Sequence, residues 1–440
     1  MEIEPKDPLM FFAAGESCAG ERFFWADPEK QVILAGIGCA FSIKTSPQHR
    51  YAQVEEIWQS TIENSVLSGR KLPGTGPLLF GGFAFDSARA KTGLWKSFPD
   101  TQFRLPQLMM SATAGRTFLT VNAFVGPEDR PGEIAGMLDE KLARLLRMRI
   151  EPKMSVAPDT LAIEETPAAE WMQSVQSLTK EIQAGQLEKA VLARELRVTS
   201  TRPFAAAEVL DKLREEQPQS YLFAYESGAD CFVGASPERL VKREGNTLFT
   251  ACLAGSSKRG KTAAEDDRLG AQLLQDKKNL REHHLVVQMI YDAMAQVCTR
   301  VEAIDEPKIY KLRDIQHLYT PITGLARQNS TILSVVAKLH PTPALGGFPR
   351  EIALAKIREY ERLDRGWYGA PIGWLDAAGD GEFAVAIRSA LLQGTRASLF
   401  AGCGIVGDSD PESEYQETQL KFQPMLSALR GVQACAIKKR

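Results

Sequence analysis

Apolar positions along this chain change their period several times, and those changes outline its elements. Gln31 to Ile43 and Gly76 to Phe85 are apolar runs punctuated by glycine, and Arg116 to Val125 reads as another strand. Ile134, Met137, Leu138, Leu142, Leu145 and Leu146 then fall at helical spacing and predict an amphipathic helix. Residues 151–167 carry three prolines among acidic residues with little periodicity, which makes them the best linker candidate. Beyond them, Trp171, Val175, Leu178 and Ile182 mark a helix ending near Gly185, and Lys189 to Val198 follows as a strand. Leu240 to Leu253 reads as a hairpin around Gly245-Asn246. Thr262 and Glu265 have the spacing of a capping box, predicted to open a long helical region reaching about Cys298. A helix near 330–340, strands at 382–393 and 397–406, and a helix from Pro411 complete the chain. Hairpins interleaved with long helices, rather than strict strand–helix alternation, predict an α+β sandwich.

Composition narrows the function classes. The chain has 440 residues, 44% of them hydrophobic and 25% charged, enough to bury a core and a water-poor pocket. At roughly 150 residues per domain the length allows three domains. A formal net charge of −2 argues against a dedicated nucleic-acid binder. No run approaches the ~20 apolar residues of a membrane span, and Met1 to Pro8 does not read as a secretion signal. Seven scattered cysteines, without CxxC or Cys/His metal spacing, predict reduced thiols in a cytoplasmic enzyme.

Some polar residues fall where apolar ones are expected. Glu282 lies in line with Val286, Met289, Ile290, Ala293 and Val297 on one helical face, so a carboxylate joins an inward stripe. The plainer reading is a helix-end glutamate that reaches solvent or a lysine. Glu414, Glu417 and Lys421 share a face of the helix begun by Asp410-Pro411. The plainer reading there is an exposed Glu417–Lys421 pair worth ~0.3–0.5 kcal/mol. Carboxylates from two distant helices are also what an oxygen-ligated Mg2+ needs. Gly234-Ala-Ser-Pro-Glu-Arg239 ends a strand in a turn projecting Glu238, and Ala254-Gly255-Ser256 follows the hairpin with small residues. Arg388 sits within a strand that is otherwise largely apolar, so it should meet an anion or a protein carboxylate. Each has a structural alternative: a turn cap, a loop residue, a core ion pair. His317 and His340 lie in proline-flanked, loop-like segments, too far apart in sequence to suggest a metal pair.

Taken in order, these segments resemble the chorismate-utilising enzyme family. The matching pieces are Lys189-Ala-Val-Leu-Ala-Arg194, Gly234 to Arg239, Ala254-Gly255-Ser256, Glu282-His283, His317-Leu-Tyr-Thr-Pro321, Leu339 to Pro349, Ile387-Arg388, Ala401 to Val406, and Glu414-x-x-Glu417-x-x-x-Lys421. The resemblance covers residues 165–430 strongly and the N-terminal part weakly. Lys189 and the segment Leu339 to Pro349 are most similar to isochorismate synthases, and Arg365-Gly-Trp-Tyr-Gly369 to their menaquinone-pathway type.

The resemblance implies two packed antiparallel sheets flanked by helices in one large domain. Residues 1–150 would complete the sheets and 165–435 would form the catalytic region. It implies isochorismate synthase activity: Lys189 as the base that activates water at C2 of chorismate, and Glu238 as the acid for the departing C4 hydroxyl. A lysine base must be substantially neutral near pH 7, and a carboxyl acid needs a raised pKa. Glu282 and Glu417 would hold Mg2+, with Glu414 behind them or bound through water. Arg388 and Tyr368 would bind the enolpyruvyl carboxylate, and Gly255, Ser256, His317, Thr320, Gly402, Gly404 and Lys421 would line the substrate. Chorismate and isochorismate are then the ligands, with no organic cofactor, nucleic acid, membrane or obligatory protein partner. Asn279 stands where relatives often carry an acidic residue and takes no metal role, Ser256 replaces a common threonine, and Tyr319 occupies a position that varies between subfamilies. The rival readings are a salicylate synthase, which adds pyruvate elimination, an ammonia-using synthase, which generally lacks the lysine, and a non-catalytic metabolite-binding subunit.

Overall fold

A computed structural model describes residues 1–69, 72–147, 161–313 and 315–430. Among the described residues the chain forms a twelve-stranded and a ten-stranded sheet, with antiparallel pairing throughout. The linker candidate lies largely outside the described residues. Its last part is no linker: Leu161–Glu165 is a strand that pairs with Lys189–Ser200.

In each sheet the strands of the N-terminal part lie side by side and join the later strands at one pairing. Arg22–Ala26 pairs with Tyr221–Ser227, and Leu78–Phe83 pairs with Pro371–Asp376. The N-terminal strands therefore extend both sheets. Between the sheets lies an aromatic core in which Phe23 stacks on Phe80 at 4.5 Å, and Trp95 meets Phe98, Phe232 and Phe400. A second apolar layer covers the outer face of the twelve-stranded sheet. There Phe422, Met425 and Leu429 of the helix Pro411–Arg430 pack with Leu399, Ala401 and Val198.

Three of the sequence expectations for local structure change. The helical region after Thr262 is two helices, Ala263–Leu273 and Lys277–Val297, because Asp276 accepts from the Asn279 N–H and starts a new one. Thr262 does cap its helix, but the Glu265 carboxylate turns to the Lys261 N–H, so the reciprocal half of the capping box is not made. The apolar run Gln31 to Ile43 also divides, into Val32–Ile37 in the larger sheet and Phe41–Ile43 in the smaller.

A buried ion pair ties the C-terminal part of the chain together. Arg365 bonds Glu361, the Leu345 carbonyl and the Val191 carbonyl, while Glu361 Oε1 accepts from the Ala193 N–H at 2.7 Å. Both side chains are buried, so removing one strands the other's charge in the core. Arg365→Met should cost about 3–5 kcal/mol in urea unfolding. Glu361→Gln in the same chain removes the stranded charge and keeps an acceptor for Ala193, so the double variant should recover part of the loss.

Candidate active site

Two connections that pass between the sheets create the centre of the site. Pro237-Glu238 links Asp230–Ser236 of the larger sheet to Arg239–Glu244 of the smaller. Ala386-Ile387-Arg388 links Gly381–Val385 of the smaller sheet to Ser389–Gln393 of the larger. The connections are bonded to each other: Val385 N–H donates to the Glu238 carbonyl, and Ala235 N–H to the Arg388 carbonyl. Glu238 and Arg388 are thereby set side by side. Arg388 is thus not inside a strand as the sequence reading had it. It takes a left-handed backbone, φ 50°, at the point where the chain changes sheet, a strained conformation worth about 1–3 kcal/mol.

Lys189 opens the strand Lys189–Ser200 and is buried, with Nζ 2.5 Å from Glu282 Oε1. Glu282 does sit on the helix face that carries the buried Val286, Ile290 and Val297. The adjacent strand Arg396–Ile405 supplies Gly404, where a Cβ would lie 2.6 Å from Lys189 Cε. Only glycine leaves that path open to the lysine. On the helix Pro411–Arg430, Lys421 Nζ bonds Glu417 at 2.6 Å and the Gly402 carbonyl at 2.8 Å. The Lys421 ammonium holds the Glu417 carboxyl below the usual carboxylate range, against the opposing effect of burial. Glu414 Oε1, one turn earlier, accepts from the Ser409 hydroxyl at 2.7 Å.

The third wall is a bulged strand. Ala254-Gly255-Ser256 lies within Thr247–Lys258, not after the hairpin, and the register slips there against Ile315–Ala326. Gly255 takes φ 77° at this bulge. Asn279 Oδ1 accepts from the Ser256 N–H at 3.3 Å, so the residue given no metal role pins the bulge. His317 is in the facing strand rather than a loop, with Nδ1 2.7 Å from Ser256 Oγ. Burial, then the cations Arg388 and Lys421, pushes the His317 pKa down to about 3, so the ring is neutral at physiological pH. Thr320 is turned elsewhere: its hydroxyl is 2.8 Å from Nε2 of His283, behind the metal-candidate Glu282. His340 bonds the Phe85 carbonyl and belongs to the core.

Glu238 makes no side-chain hydrogen bond among the described residues. Burial pushes its carboxyl up to about 7, opposed by Arg388, Lys421 and Lys189. Its carboxyl thus feels the lysines of both ion pairs. The Arg388 guanidinium and the Tyr368 hydroxyl likewise make no hydrogen bond among the described residues, and each perturbs the other's titration. His317 Nε2 and the Thr342 hydroxyl are buried without partners. Such groups are costly to bury unless a ligand meets them. Thr342 was missed by the sequence reading. It stands in the segment Leu339 to Pro349 that carried the resemblance, and it lines a small cavity with Glu238, but nothing in its spacing separates it from its neighbours.

Glu282 and Glu417 offer only carboxylate oxygen, which suits a hard divalent cation such as Mg2+. Among the described residues no cluster of three or more His, Cys, Asp or Glu side chains is placed to hold a metal. A cation here would complete its shell with water and ligand oxygens, as Mg2+ commonly does.

Comparison with known proteins places the chain in a family. Residues 1–430 match the family model described as chorismate binding enzyme. Isochorismate synthase MenF of Bacillus subtilis is 45% identical over 438 residues, covering 98% of this chain and 92% of that protein. The salicylate biosynthesis isochorismate synthase of Pseudomonas aeruginosa is 37% identical over 439 residues, covering 98% and 89%. The structure of MenF, the menaquinone-specific isochorismate synthase from Escherichia coli, superposes with a TM-score of 0.82 at 26% identity, covering 97% of this chain and 92% of that one. The chain belongs to the chorismate-binding enzyme family.

Proposed function

We infer that this protein is an isochorismate synthase, interconverting chorismate and isochorismate. One observation carries the reading: a buried lysine and a proton-holding glutamate flank a set of polar groups with no hydrogen-bond partner among the described residues. Arg388, Tyr368, His317 Nε2 and Thr342 form a receptor for an oxygen-rich anion. A planar guanidinium suits a bidentate carboxylate.

In the reaction Lys189 takes a proton from water as its oxygen bonds to C2 of the ring. The ring double bonds shift, the C4–O bond breaks, and Glu238 delivers a proton to the departing hydroxyl. One water enters and one leaves, with no redox change. For base action Lys189 must release its proton and its contact with Glu282. A carboxyl titrating at about 7 still carries its proton in a useful fraction of molecules near neutrality. Arg388 and Tyr368 orient the enolpyruvyl carboxylate, and neutral His317 offers a ring nitrogen without adding charge. Glu282 and Glu417 would hold Mg2+, which when bound neutralises and orients the ring carboxylate. The menaquinone-pathway type follows the higher identity to the Bacillus enzyme. A cytoplasmic location is proposed from the free cysteines among the described residues, and no described helix is long and apolar enough to cross a membrane.

Chromatography of products from chorismate is the direct test. With Mg2+ an equilibrating mixture of chorismate and isochorismate is expected, and EDTA should stop its formation. Salicylate plus pyruvate would move the protein to the lyase reaction, and unchanged chorismate would return it to a binding role. Lys189→Ala should lower kcat by about 10²–10⁴-fold while chorismate still binds. Gly404→Ala, which drives a methyl group into Lys189 Cε, should lower kcat by roughly 10²-fold with little change in Tm. Because Glu238 acts protonated, kcat/KM should fall as pH rises through about 7. Arg388→Gln removes the largest opposing cation and should move that limb to higher pH.

A further inference from the structure

Glu238 has no side-chain hydrogen bond among the described residues, so its direction is set by the residues on either side. Behind it, the Ser236 hydroxyl donates to the Val385 carbonyl at 2.5 Å and accepts the Glu238 N–H at 3.2 Å. Ahead of it, Arg239 enters the smaller sheet at a bulge against Ala384 and Phe383. Its guanidinium Nε–H donates to Glu382 Oε1 at 2.8 Å and to Tyr221 Oη at 2.7 Å. The Tyr221 hydroxyl closes the triangle on Glu382 Oε1 at 2.7 Å. Glu382 and Tyr221 are buried, at 1% and 2% exposure, and the Tyr221 ring packs against Trp25 at 5.3 Å. Tyr221 comes from the larger sheet and Glu382 from the smaller, so the triangle joins both sheets at the connection that bears Glu238.

The charge of Arg239 is not what tunes Glu238. The cations that bear on that carboxyl are Arg388, Lys421 and Lys189. The guanidinium is instead taken up by the buried Glu382, whose carboxylate would lose its compensating charge without it. A charged triangle built one residue from a side chain without any anchor is a device for geometry.

We propose that Tyr221, Arg239 and Glu382 are positioning residues that hold Glu238 at the departing hydroxyl without touching substrate. The proposal rests on the reading of Glu238 as the acid. Displacement of Glu238 by a fraction of an ångström should reduce proton delivery more than substrate binding.

The test uses the full-length protein with Mg2+ and chorismate. Tyr221→Phe keeps the ring against Trp25 and removes only the hydroxyl, and Glu382→Gln keeps the shape and removes the charge. Each should lower kcat by about ten- to a hundredfold with KM for chorismate little changed. A less constrained Glu238 samples more solvent, so the high-pH limb of the rate profile should move to lower pH. Wild-type kcat and an unmoved limb in both folded variants would overturn the proposal. So would a loss of kcat that merely follows a lowered Tm and leaves the limb in place. Glu238→Gln separates the two claims: if it turns over like wild type, the acid assignment itself fails, whatever the other variants do.

Discussion

Lys189 and Glu282 stand 2.5 Å apart in a cleft between two sheets, and Lys421 and Glu417 repeat the arrangement at 2.6 Å. The lysines are the more buried members of both pairs, and a buried cation left without a partner costs several kcal/mol. Lys189 and Lys421 take Glu282 and Glu417, and Glu414 accepts from the Ser409 hydroxyl. The remainder is Arg388 and Glu238, adjacent but not hydrogen-bonded to one another. Glu238 meets its desolvation by holding a proton. Arg388 is left for an anion. The chemistry of the site follows from which charges the protein pairs and which it leaves.

That division depends on the paired crossings of the chain between the sheets. A strand confined to one sheet would send side chains alternately to the core and to the far face. By changing sheet at Pro237-Glu238 and at Ala386–Arg388, the backbone delivers two polar side chains into the gap and still satisfies its own hydrogen bonds. The left-handed backbone at Arg388 is the strain that accompanies this turn. The aromatic core between the sheets and the Arg365–Glu361 pair supply the rigidity against which such strain persists.

Several layers support residues that meet no ligand. His283 and Thr320 brace the helix behind Glu282, Asn279 holds the bulge at Gly255, and Glu361 fixes the strand that begins with Lys189. Gly404 shows how closely the neighbouring strand approaches Lys189, so the lysine has little room to move.

The residues themselves determined much of this protein. Apolar runs and a helix-start signal marked strands at Gly76 to Phe85 and Lys189 to Val198 and a helix from Pro411, and helical spacing marked Trp171 to Ile182. The structure has these elements at Leu78–Phe83, Lys189–Ser200, Pro411–Arg430 and Ala168–Gln183. The order of short polar segments carried the family resemblance, since chemistry needs particular groups and not merely apolar volume. What the tertiary structure decided was direction and pairing. No spacing distinguishes Thr320, turned to His283, from Thr342, whose hydroxyl is buried without a partner. Nor could an apolar run reveal that it breaks at Arg388 to change sheets, because both sheets demand the same alternation. Whether Glu282 escapes to solvent or meets Lys189, 93 positions away, is a contact between distant strands and helices. Sequence patterns record how buried each position is, whereas partnership across the fold exists only once the sheets have packed.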